Sequence, residues 1–157
     1  MGCYCKILVA LDGSPDAYAA LHHAATLACD QHARLIVLMV SPSPRHAVAV
    51  GGPMLISDPE SAYAKELREA VNSLPPAVSV ESRLTSGKPA RRILEVAEES
   101  NCDLIVMGFH GHGRLHHALA GLVSATVLRE STRPVLLVRA GDAPSPPPVR
   151  PASADLV

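Results

Sequence analysis

The chain has 157 residues, of which 48% are apolar, enough for one domain with a buried core. Charged residues make up 18% and the formal net charge is −1, so no basic stripe suits a phosphodiester backbone and nucleic acid is not an expected partner. No apolar run approaches the roughly 18 residues of a membrane span, which argues against a membrane partner.

The start, MGCYCKILVALDG, is apolar but runs straight into Asp12 and Gly13 without the anatomy of a signal peptide, and Lys6 stands where a myristoylation motif needs Ser or Thr. The expected compartment is the cytoplasm. Lys6 to Leu11 reads as a short strand buried on both faces. Ser14-Pro15-Asp16 reads as a helix start: Ser supplies an N-cap oxygen, Pro suits the first turn and Asp complements the dipole. Leu21, Ala24, Ala25 and Ala28 follow at helical spacing, and Arg34 to Val40 is a second buried strand.

Ser41 to Ser57, with three prolines and a Gly-Gly pair, predicts a long loop. Asp58-Pro59-Glu60 then caps a helix with Tyr63, Leu67, Ala70, Val71 and Leu74 on one face, ended by Pro75-Pro76. Val78 to Leu84 alternates imperfectly between apolar and polar residues, as an edge strand does. Gly87-Lys88-Pro89 opens a third helix carrying Ile93, Val96 and Ala97, and Asp103 to Met107 is another buried strand. A Gly/His-rich stretch, Gly108 to Gly113, precedes a fourth helical pattern that leads to Arg133-Pro134 and a last strand, Val135 to Val138. From Gly141 onward the chain is proline-rich and predicts a disordered tail over 141–157, after a single domain over 1–140. Strands alternating with helices imply a parallel sheet covered on both faces.

Of the four cysteines, Cys29 falls in a helical pattern and Cys102 just before a strand, where small buried thiols are common. Cys3 and Cys5 form a C-x-C pair, but no second pair and no Cys/His set at zinc spacing accompanies it, so all four read as reduced thiols.

In open parallel sheets, ligands bind beyond the carboxyl ends of strands, where strand order reverses. Asp12 ends the first strand and has two readings: a turn residue ahead of Ser14, or an acceptor for a ligand's sugar hydroxyl or base amino group. Gly108, Gly111 and Gly113 allow a turn with converging N–H groups just before a helix, an arrangement suited to an anion. Gly121 interrupts the stripe Leu115, Ala118, Leu119, Leu122, Val123, Thr126 and Val127. It marks either a break exposing N–H groups at Leu122 to Ser124 or a glycine packed against a strand.

The spacing Gly108-x2-Gly111-x9-Gly121 after DLIVMG resembles the ATP-binding motif of universal stress proteins. ILVALDGSPDA, GKPARRILEVAEESNCDLIVMG and RPVLLV resemble the same family, so the likeness runs from Lys6 to Arg139. It implies an adenine nucleotide alpha hydrolase-like fold, a three-layer α/β arrangement with an open five-stranded parallel sheet ordered 3-2-1-4-5. It implies that Ala10, Leu11, Asp12 and Val40 hold adenine and ribose. Phosphates then lie on Gly108, Gly111, His112, Gly113 and Arg114, and on Gly121, Leu122, Val123 and Ser124, with Met107 also counted in the nucleotide site. ATP with Mg2+ is the implied ligand, and a homodimer through Pro134 to Val138 the implied assembly. One departure stands out: Leu122 occupies a position where the family normally has Ser or Thr.

The resemblance implies a nucleotide-responsive stress or signalling module with an unidentified protein partner, not an enzyme. No G-x-x-x-x-G-K-[ST] loop is present; Gly87-Lys88-Pro89 is the nearest fragment. Two other readings stand beside it. The histidines His110, His112, His116 and His117, with His22 and His23, could bind a metal, although no carboxylate or Cys nearby in sequence completes a set. Alternatively, the chain is a dimeric scaffold that binds no nucleotide.

Overall fold

A computed structural model describes residues 3–41, 59–109 and 121–141. Of the long loop expected over Ser41 to Ser57, Ser41 instead ends a strand because it pairs with Ser86, and the rest, like most of the Gly/His stretch and the proline-rich tail beyond 141, lies outside the described residues. In chain order the elements are β1 (Lys6–Leu11), α1 (Pro15–Gln31), β2 (Arg34–Ser41), α2 (Pro59–Asn72), β3 (Ser79–Ser86), α3 (Pro89–Glu99), β4 (Leu104–Gly108), α4 (Leu122–Glu130) and β5 (Val135–Val138).

The start of α1 is set by local chemistry. Ser14 is extended (φ −73°, ψ 156°) and its Oγ accepts the Ala17 N–H at 3.1 Å, satisfying one of the amides a helix leaves unpaired. At the other end His32 takes the left-handed conformation (φ 54°), and the N–H of Ala33 returns to Ala28 O at 2.9 Å, a reversal that stops the helix. The buried face of α1 is Ala17, Ala20, Leu21, Ala24, Ala25 and Ala28. Alanine adds little thickness, so α1 lies close on β1 and β4. Cys29, expected to be buried, is exposed instead. It follows Ala28 by one position, about 100° around the helix, and so falls past the edge of the alanine stripe. Cys102 is buried as expected.

The strands form one parallel sheet in the order β3-β2-β1-β4-β5. Ile7 pairs with Leu35 on one side and Leu104 on the other, placing β1 at the centre. Alternation along the strands divides the core into two layers. Ile7, Val9, Leu11, Leu35, Val37, Met39, Leu104 and Val106 meet α1 and α2. Leu8, Ile36, Leu38, Ile105 and Met107 meet Ile93, Val96 and Ala97 of α3 and Val127 of α4. The central strands are apolar on both faces because both faces are covered.

The expected edge strand is an edge. No residue of β3 is fully buried, and the Arg83 Nε–Glu81 Oε1 ion pair (2.8 Å) puts charge on it, which discourages pairing with another chain. It runs to Ser86, two residues beyond the alternating pattern, because β2 continues to Ser41 and the Ser41–Ser86 register pair extends the ladder. At the opposite edge β5 is VLLV, with its first three residues half-buried.

Candidate functional site

The chain lays down β1, β2 and β3 in one direction, then crosses to the other side of β1 to place β4. Strand order therefore reverses between β1 and β4, the position at whose carboxyl ends open parallel sheets form a crevice. Ala10 pairs with Met107, so Leu11 stands level with Gly108 and Asp12, one residue on, leaves the sheet next to the end of β4. Ala10, Val40 and Met107 share the α3/α4 layer, together with Val123 from α4. Leu11 is sealed in the opposite layer at 3% exposure.

Asp12 is exposed, and its Oδ1 accepts the Ser14 N–H at 2.9 Å. The turn reading is therefore right for one oxygen. Oδ2 has no partner among the described residues and keeps its capacity for an external donor. Gly13, with φ +82°, follows in a conformation that disfavours a side chain. A Cβ there would sit 2.6 Å from Glu66 Oε1, so α2 brings a second carboxylate to this turn. The Tyr18 hydroxyl donates to that same oxygen at 3.3 Å. Burial, and then the charge of Glu66, push the Tyr18 hydroxyl above its usual range.

Gly108 meets its own protein at close range. A Cβ there would lie 2.8 Å from Ala17 N and 2.9 Å from the Asp16 carbonyl carbon, so the first turn of α1 packs directly on the end of β4. Asp16 is buried, and its Oδ1 accepts the Ala140 N–H at 2.7 Å. Phe109 N–H donates to Val138 O at 2.9 Å, and the Arg139 guanidinium stacks 4.2 Å from the Phe109 ring centroid. The exits of β4 and β5 are thus tied to each other and to α1.

Gly121 is different. It is the N-cap of α4 at φ +85°, ψ −10°, with nothing among the described residues within 4 Å of a Cβ. α4 begins at Leu122 and no described strand packs against this glycine, while the stripe expected before it, from Leu115, lies outside the described residues. No side chain caps α4 and no acidic residue sits in its first turn. The Ser124 hydroxyl lies 3.0 Å from both Phe109 O and Gly121 O, clamping this first turn to the end of β4. The N–H groups of Leu122, Val123 and Ser124 thereby gather beside the β1/β4 crevice with no acceptor among the described residues. Leu122 is 56% exposed.

Gly111, His112, Gly113 and Arg114 lie outside the described residues, as do His110, His116 and His117. Among the described residues no group of three or more His, Cys, Asp or Glu is placed to hold a metal ion. Of the expected site residues, the described ones converge on one edge of the sheet. Asp16, Glu66, Phe109 and Arg139 also stand there, unforeseen. Their partners lie far along the chain, Ala140 being 124 positions from Asp16 and Glu66 48 from Tyr18, so no local pattern marked them.

Residues 4–139 match the Universal stress protein family. The chain belongs to that family. Universal stress protein YxiE of Bacillus subtilis is 34% identical over 149 residues, covering 85% of this chain and 98% of the relative. A solved universal stress protein in complex with cAMP matches with a TM-score of 0.65 and 27% identity, over 88% of this chain and 99% of that one. The universal stress protein from Archaeoglobus fulgidus in complex with dAMP matches with a TM-score of 0.62 and 27% identity, over 87% and 99%. No described helix of this universal stress protein is long and apolar enough to cross a membrane.

Proposed function

We propose that this universal stress protein binds an adenine nucleotide, ATP with Mg2+, at the β1/β4 crevice and acts as a nucleotide-responsive regulator in the cytoplasm, not as a catalyst. The observation that carries the reading is the open N-terminus of α4. Behind a left-handed glycine cap, three amides have no acceptor among the described residues, and the Ser124 clamp holds them beside the end of β4. Such a helix end attracts an anion through its N–H groups and its dipole. Across the crevice, Asp12 keeps one carboxylate oxygen for a ribose hydroxyl or base amino group. Two relatives of the same fold were solved with adenine nucleotides, cAMP and dAMP, which supports the ligand class.

The residues present fit such a ligand. Ala10, the Leu11 backbone, Asp12 and Val40 would hold adenine and ribose. Gly108, Gly111, His112, Gly113 and Arg114 would hold phosphates, with the amides of Gly121, Leu122, Val123 and Ser124, and Met107 would back the site from the α3/α4 layer. Leu122 contributes an amide but no hydroxyl, at a loss of about 0.5–1.5 kcal/mol for a neutral hydrogen bond. The reading includes a homodimer through Pro134 to Val138, supported by the position of β5 at the end of the sheet, where among the described residues it pairs only with β4.

One observation favours the ligand-free scaffold as a second reading: exposed apolar bulk at Leu122, in the turn that would meet phosphate. Purification without added nucleotide, denaturation and chromatography of the released small molecules separates the two. Near-stoichiometric ATP or ADP is expected. An empty protein with no thermal shift in Mg-ATP would favour the scaffold.

A further inference from the structure

At the opposite end of the sheet, Cys3 and Cys5 are both exposed on the segment that enters β1. Residues two apart on an extended chain point to the same side. Two fully extended residues span ~6.6–7.2 Å, at or beyond the ~4.4–6.8 Å Cα separation of a disulfide. This segment, however, bends at Cys5. The Cys5 thiol lies 3.9 Å from the Cys3 carbonyl oxygen, so the second sulfur is turned back toward the backbone of the first cysteine.

The surrounding backbone is held in place. Tyr4 N–H donates to Gln31 Oε1 at 2.6 Å, and the N–H groups of Cys5 and Lys6 donate to Asp103 Oδ2 at 2.6 and 2.8 Å. Arg34 N–H donates to Cys5 O at 2.9 Å. These bonds fix the backbone and leave both thiols in solvent. The other two cysteines lack this arrangement. Cys102 has 0% exposure, and burial pushes its thiol above the usual range, away from the reactive thiolate. Cys29 is exposed, but it sits on α1 with no second cysteine on that helix.

We propose that Cys3 and Cys5 are a redox-active dithiol that closes to an intrachain disulfide by exchange with low-molecular-weight disulfides. One protein thiolate attacks a sulfur of the small disulfide, forming a mixed disulfide and releasing one small thiolate. The second protein thiolate then attacks the protein sulfur of that mixed disulfide and releases the second. The dithiol is oxidised by two electrons, the small disulfide is reduced to two thiols, and the two cysteine protons end on those thiols. The small ring is strained and exposed, which makes the bond readily reversible. This site stands at the amino edge of the sheet, so its success or failure is independent of the nucleotide reading.

The test is to incubate the reduced full-length protein with oxidised glutathione, block free thiols, digest with trypsin and weigh the peptide ending at Lys6, which carries both cysteines. The expected product is that peptide short of two hydrogens, outnumbering glutathione adducts by ~10-fold or more because closure is intramolecular. Cys3→Ser and Cys5→Ser should each stop at a single glutathione adduct on the remaining thiol. Adducts as the main wild-type product, a bond from Cys3 or Cys5 to Cys29, or an unchanged peptide while Cys29 reacts would each overturn the proposal.

Discussion

Gly108 and Gly121 belong to one sequence motif but are glycines for different physical reasons. At Gly121 the backbone is left-handed and a Cβ would meet nothing among the described residues, so the penalty expected for a side chain is conformational. Gly121→Ala should destabilise by about 1–2 kcal/mol, and Gly121→Asn by less, since Asn tolerates this conformation. At Gly108 a Cβ would press on the backbone of Asp16 and Ala17. Gly108→Ala should cost about 1–3 kcal/mol, with no relief from Asn. Urea denaturation of the four variants checks both orderings. Tyr18 gives a pH signature at the same scale. Its hydroxyl is raised by burial and then by Glu66, so the folded state favours the neutral form. That contribution is complete below the unfolded-state value and is lost as pH rises through the folded one. Tyr18→Phe should therefore flatten the alkaline decline in stability, read as Tm against pH, while leaving the acid limb unchanged.

Among the elements, α1 links the sheet to the crevice. Its alanine face and Gly108 allow close approach, and Asp16 in its first turn holds the chain just after β5. Asp16→Ala should cost about 1.5–3 kcal/mol, the range of a hydrogen bond to a charged group. It should also speed amide exchange at Ala140 and in β5 more than in β2; equal acceleration throughout would show a global effect instead. Much of this level was legible in the sequence. KILVAL, RLIVLMV and DLIVM are apolar runs bounded by turn residues, and Ser14-Pro15 marks a helix start from purely local chemistry. The inexact parts were those settled by neighbours: β3 extends to Ser86 because β2 supplies partners, and Cys29 turns outward because the alanine stripe ends before it. Asp16 reads locally as a complement to the helix dipole, and only the fold brings Ala140 to it.

For the whole molecule, the 3-2-1-4-5 order came from the family resemblance, since alternation alone leaves the crossing from β3 to β4 undetermined among a few right-handed topologies. Once that order is known, Asp12 and Gly108 must meet at one end of the sheet, although nearly 100 residues separate them. The β1/β4 switch point has a half-used carboxylate on one side and, on the other, a helix start that no described side chain caps, and the proposed nucleotide would lie across the two strands. Calorimetric titration with Mg-ATP of wild type and Asp12→Ala, both confirmed folded by their melting curves, tests this most directly. One site per chain is expected in the wild type, with affinity reduced ~10-fold or more in Asp12→Ala. Absence of binding to the wild type, or equal affinity in both proteins, would contradict a nucleotide site at the β1/β4 crevice.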